Sequence, residues 1–227
     1  PRMSKNAVEA TFGIRFTSSR IWDPHPTVGL SSFWFGVPSC AFLAVAFCLP
    51  RVVVTPWGWP TTLHYVSYLC LGVSYAVAIF TCGLADYAYI RRGHRSFYGK
   101  VDVIWAAVVF MASNIDFLCR AGFLETACLS SVAMASFIFS GCSTTWPQWV
   151  FRHSLWHVVA GLLGAYGALR LPPEGAAISA SLPWAFAGAL AVYLACVATC
   201  LAAAYGVCGE ELRGSLWAAG AKHANWK

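Results

Sequence analysis

The sequence predicts an all-α fold, a polytopic membrane helical bundle of about six transmembrane helices with both termini on the same side. Three observations predict it. Of the 227 residues, 59% are hydrophobic and only 11% are charged, where soluble globular domains carry about 25% charged residues. The apolar residues gather into long runs, and the mean hydropathy is +0.62. Lys and Arg fall mainly in the segments that a six-span count puts on one side of the membrane. This composition excludes a water-soluble enzyme. It also excludes nucleic-acid binding, because the net charge of +6 comes from 15 Lys and Arg spread along the chain with no basic stripe.

The chain opens Pro1-Arg2-Met3, which reads as a processed or partly observed polypeptide. Residues 1–29 form a basic arm, with Arg2, Lys5, Arg15 and Arg20 against Glu9 and Asp23. The arm has no hydrophobic signal core, so it does not read as a retained secretory signal peptide. A basic, acid-poor arm suits an organellar membrane, mitochondrial inner or thylakoid, and equally a cytosolic juxtamembrane segment.

A crossing takes ~20 apolar residues, within about 17–25. The first span reads as Leu30 to Leu49, closed by Pro50-Arg51. The second covers Thr62 to Ala85, the third Val101 to Leu118 and the fourth Leu124 to Cys142. The fifth runs from Trp149 to Leu169, and the Ala-rich sixth from Ser181 to Val207. Residues 30–207 are thus one bundle, and 208–227 a C-terminal tail. Trp34, Trp57, Trp59, Trp146, Trp149 and Trp184 lie near the proposed ends, where amphipathic rings prefer the interface. Six spans put twelve Lys and Arg on the side of the termini, against Arg51, Arg120 and Arg170 on the other. That asymmetry is the positive-inside pattern.

The ten cysteines include no CxxC pair, so neither a zinc knuckle nor a thioredoxin-type motif is expected. Cys40, Cys48, Cys70, Cys82, Cys128, Cys196 and Cys200 lie in apolar runs, as small packing residues do. On the fifth span Ala160, Gly164 and Ala168 recur every fourth residue, a ridge that lets a neighbouring helix approach closely.

Ionisable side chains inside a span are costly and mark functional candidates. The richest cluster is Arg152-His153-Ser154-Leu155-Trp156-His157. His153 and His157 are i and i+4, so both imidazoles project from one helix face, the spacing at which a helix offers two nitrogens to one metal. Asp102 opens span three, while Thr81, Cys82 and Asp86 end span two. In a six-span topology all of them fall near one side, so the ends of spans two, three and five can build one site. The same histidines also suit a hydrogen-bonded structural role. Asp116 and Arg120 read as a helix-end ion pair whose long arm snorkels outward. His64 begins span two on the opposite side and stays apart from the cluster. That placement weakens a bis-histidine haem, because no second span offers a histidine opposed to the pair. A single histidine as ligand to a pigment magnesium has no specific support.

The run Phe139-Ser140-Gly141-Cys142-Ser143-Thr144-Thr145, continuing through Phe151-Arg152-His153-Ser154-Leu155-Trp156-His157-Val158-Val159-Ala160-Gly161 to Leu171-Pro172-Pro173, resembles the last core helix of a known superfamily. It comprises the alkaline ceramidases, the progestin and adipoQ receptors and the myomaker-like proteins, and the likeness looks closest to the myomaker-like branch. The resemblance implies a helical bundle that binds zinc through the two histidines of HxxxH and one further His near the end of the second helix. It implies that an Asp opening the third helix helps activate the zinc-bound water for attack on a lipid amide or ester, and Asp102 matches that Asp. The convincing part covers about 35 residues, with a weaker echo over 81–110.

The chain departs from the family pattern in two places. Where a Ser-x-x-x-His element belongs, it has Thr81-Cys82-Gly83-Leu84-Ala85-Asp86, without the histidine. Between Asp102 and His153 there is room for one intervening span where the family has three. Zinc held by His153 and His157 would need Asp102 or Asp86 as third ligand, and an Asp102 so used is no longer a free base. The expectation is therefore a reduced relative with catalysis lost or altered: a non-catalytic accessory subunit or scaffold, in contact with membrane lipids and other membrane protein subunits. The alternative is a zinc-dependent lipid hydrolase, and a weaker one a pigment- or haem-associated subunit.

Overall fold

The computed structural model describes residues 25–49, 53–54, 60–61, 63–92, 97–170 and 180–224. Side chains at 53–64, 86–92 and 204–224, and at 26, 84 and 98, are outside that description.

The first crossing begins where His25 caps helix α1 (Pro26–Ser31), its Nδ1 accepting from the Thr27 N–H at 3.1 Å. Pro26 occupies the first helical position, where no N–H is needed. A 3₁₀ turn over Ser32–Phe35 leads directly into α2 (Gly36–Cys48), so Thr27–Cys48 crosses as one apolar segment. It ends at Leu49, whose extended backbone is what a following proline imposes. A two-residue antiparallel pair, β1 (Val53–Val54) with β2 (Pro60–Thr61), precedes α3 (Leu63–Arg92). Next come α4 (Phe97–Ala121), α5 (Phe123–Gly141), α6 (Trp146–Leu169) and α7 (Leu182–Ala224). Between α4 and α5 the chain reverses on Gly122 alone, at φ 83°, a left-handed conformation that favours glycine.

Helices α2 to α6 close into a ring, each packed on its neighbours in sequence and α6 returning to α2. Contacts in register show the direction of each step. Ser67 meets Asp116 and Thr81 meets Asp102, so α3 and α4 are antiparallel. Asn114 with Ser130 does the same for α4 and α5, and Ser140 with His153 and Glu125 with Tyr166 for α5 and α6. Helix α7 stands outside the ring and packs mainly on α2. Tyr193 donates to the Phe33 carbonyl at 2.6 Å, and an ideal Cβ on Gly36 would overlap the Tyr193 ring. The first crossing is accordingly the most buried of the bundle. Its Phe42 and Val45 pack with Tyr68, Leu71 and Tyr75 of α3.

The all-α bundle is as expected, with five helices long and apolar enough to cross a membrane. The sixth long helix, α6, is 24 residues long but is not among those five. Large side chains on the outer faces are apolar, among them Phe80, Ile104, Ile115, Leu162 and Trp184. Acyl chains cover such a surface at no cost.

Several boundaries move. Helix α1 starts before Leu30, α3 runs on to Arg92 and α4 begins at Phe97, because helix continues past the apolar core into charged residues. Helix α7 likewise does not stop at Val207; its backbone is helical to Ala224, so no element boundary separates the tail. Gly164 lies against Pro38 and Tyr75, and Ala168 is fully buried, as the small-residue ridge requires. On α6 the tightest approach of a glycine is one position off that ridge: a Cβ on Gly161 would sit 2.6 Å from the Trp34 carbonyl oxygen. Cys40 and Cys82 are buried, whereas Cys70, Cys128, Cys196 and Cys200 face outward.

Candidate functional site

On the side where the first crossing starts, α6 presents the two histidines to two different neighbours. His153 Nδ1 is 2.9 Å from Ser140 Oγ at the end of α5, and His157 Nδ1 is 2.7 Å from Ser31 Oγ at the end of α1. The single Ser31 hydroxyl proton is already donated to the Val28 carbonyl, 2.7 Å away. Toward His157 the Ser31 oxygen therefore accepts, which puts the proton of a neutral imidazole on Nδ1 and leaves Nε2 as the acceptor. The two rings lie 4.8 Å apart at 73°, with Trp149 stacked on His153 and Phe35 tilted against His157. Arg152 lays its guanidinium over the Phe139 ring and donates to the Cys142 carbonyl. One helical turn thus ties α1, α5 and α6 together.

Asp102, half-buried at the start of α4, accepts from Thr81 Oγ1 at 3.2 Å and from Cys82 Sγ at 2.8 Å. It joins the ends of α3 and α4 on the same side as the histidines. Asp86 lies on the α3 backbone beyond them, and its side chain, like that of His64, is outside the described residues. A catalytic zinc takes three protein ligands and an open position. Among the described residues no three His, Cys, Asp or Glu side chains gather into a group that could hold a metal ion. Of the expected ligands, His153 and His157 thus stand together on α6, while Asp102 bonds to Thr81 and Cys82 of α3.

Inside the ring lies a cavity of about 110 Å³. Helix α4 lines it at 102, 106, 109, 110, 113, 114, 117 and 120, a single helical face about 27 Å long. Aromatic walls come from Phe35, Phe42, Tyr75 and Trp156. Its polar groups are mostly satisfied by one another: Tyr75 with Ser113 at 3.2 Å, and Ser130 with Asn114. Ser113 is not among the candidates that the sequence singles out, although it stands 11 residues, about three turns, from Asp102 on one face of α4. Their partners on α3 and α5 carry no signal in a single sequence.

At the far end Arg120 and Asp116 do form the expected pair, Nε to Oδ2 at 2.9 Å. The arm does not snorkel, however. The Arg120 side chain is 1% exposed and the Asp116 side chain 8%. Arg120 also donates to the Gly167 carbonyl at 2.9 Å and to the Arg170 carbonyl, capping the C-terminus of α6. Its guanidinium lies 4.9 Å from the Tyr68 ring centroid, and Ser67 donates to Asp116. Four hydrogen bonds to three acceptors and an aromatic face hold it in place, where an outward arm would find only lipid. Comparison with protein-family models, with curated proteins and with solved structures finds no match for this chain.

Proposed function

We propose that this multi-pass helical membrane protein is a non-catalytic accessory subunit or scaffold, its HxxxH pair serving as a structural tie. The observation that carries the reading is that both Nδ1 atoms are bonded to serines from other elements, with no third metal-ligating side chain grouped beside them among the described residues. A serine–histidine bond between helices is worth about 1 kcal/mol in a bilayer, and two of them fix α6 against α1 and α5. Its partners on this reading are membrane lipids and other membrane subunits. The basic arm over residues 1–29 is the support for an organellar membrane.

Purification in a mild non-ionic detergent tests it. The chain should elute within a complex larger than its own 24.6 kDa and its micelle, and H157Q should lower the thermal midpoint without removing any lipid turnover. A monomeric, self-sufficient chain overturns the subunit reading. Zinc at one per chain, together with lipid amide or ester hydrolysis that H157Q abolishes, establishes the hydrolase instead.

A further inference from the structure

Two carboxylates, Asp102 and Asp116, sit in the interior of the ring, and among the described residues only one of them has a cation. Asp116 is neutralised by Arg120. Asp102 accepts from a hydroxyl and a thiol, and among the described residues no Lys, Arg or His pairs with it. It lies on the wall of the central cavity, whose lining is otherwise mainly apolar and aromatic. Phe35 and Trp156 belong to that same end, because Phe35 packs on His157 and Trp156 is its neighbour in α6. A carboxylate in such surroundings is costly unless it holds a proton or meets a positive charge.

We propose that this cavity is a binding site for a small apolar ammonium ion, a primary amine on a short alkyl chain, with Asp102 as its counter-ion. Size sets the upper limit. An engineered apolar cavity of roughly 150 Å³ takes benzene, so about 110 Å³ is short of a full ring and suits a few methylenes. Aromatic faces add attraction for the cation, which strengthens where water is excluded. The chemistry disfavours a metal ion, since hard cations take six or more oxygen ligands, or keep their waters, and the cavity offers one carboxylate among rings. Ser113, Tyr75, Asn114 and Ser130 are already paired with one another, so the ammonium group is directed to the Asp102 end.

The test compares n-propylamine with n-propanol, which matches it in shape and differs in charge, on the full chain in a non-ionic detergent at neutral pH. Binding is read by calorimetry and by the shift in thermal midpoint. Propylamine should bind at least about tenfold more tightly, since a charge-assisted hydrogen bond is roughly twice as strong as a neutral one. D102N keeps an acceptor for Thr81 and Cys82, and should bring the two probes to within about twofold while leaving the unliganded midpoint nearly unchanged. A133L, which fills the cavity from α5, should weaken both. Equal binding of amine and alcohol to the unmodified chain, as a protonated Asp102 would give, overturns the proposal. So does an amine preference that survives D102N, or no binding of either probe. None of these results depends on zinc content or on the size of the purified complex.

Discussion

Arg120 is held inside the bundle by acceptors from α4 and α6 and by the Tyr68 ring of α3, and its charge is balanced by Asp116. Removing one partner of a buried pair leaves the other charge uncompensated, at about 3–5 kcal/mol, whereas removing both can be nearly neutral. R120L should therefore destabilise the protein by that order and loosen the C-terminal turn of α6, where the Gly167 and Arg170 carbonyls lose their donor. The double variant D116L/R120L should recover a good part of the loss. Unfolding of both variants in the same detergent checks this; a double variant no better than R120L would place the stabilisation in the carbonyl caps and not in the pair. The i,i+4 spacing made the pair itself legible. The inward direction of the arm was not, because the carbonyls that draw it in come from α6, 47 and 50 residues further along the chain. The histidines follow the same rule: their shared face reads directly from the spacing, while Ser31 stands 126 residues from His157 and nothing local announces it.

Helices were legible where the bilayer dictates them, since a crossing must be a long apolar run. Their ends were less so, because helix propagates beyond the hydrocarbon wherever the residues permit it. Hence α3 and α7 carry on through segments rich in Arg, Glu and Lys that hydropathy alone assigns to loops. How closely helices approach is set by single glycines, and here two of them give opposite expectations. On Gly161 a Cβ would meet the backbone oxygen of Trp34 at 2.6 Å, an atom that cannot swing aside. G161A should force α6 away from the 3₁₀ turn, at roughly the 1–3 kcal/mol of an overpacked core. On Gly188 of α7 a Cβ meets nothing within 4 Å, so G188A should be neutral or slightly stabilising through helix propensity. Thermal midpoints of the two variants decide it, and equal values would mean that α6 has room to shift.

At the scale of the molecule the open matter is how many times the chain crosses, since α6 is not among the five helices apolar enough to cross by composition alone. Hydropathy describes a helix facing lipid, and the polar turn of α6 is not such a helix. His153 and His157 are turned toward α5 and the first crossing, and Arg152 is bonded within the same corner. Twenty-four residues rise about 36 Å, more than the ~30 Å of hydrocarbon. The two ends of α6 also meet opposite ends of α5: His153 reaches Ser140, and Tyr166 reaches Glu125. If α5 crosses, α6 crosses back. Helix α7 then runs antiparallel to the first crossing, because Ala189 meets Cys40 and Tyr193 meets Phe33. Its later residues return to the side on which the first crossing begins, in agreement with the placement of Lys and Arg. Epitope tags at residues 1 and 227 should both be reached, or both be protected, when sealed vesicles of one orientation meet an impermeant protease. A tag in the 171–179 connection between α6 and α7 should behave the opposite way. Termini on opposite sides would mean that α6 re-enters without crossing, and the antiparallel contacts of α5 with α6 would then have to be made within one leaflet.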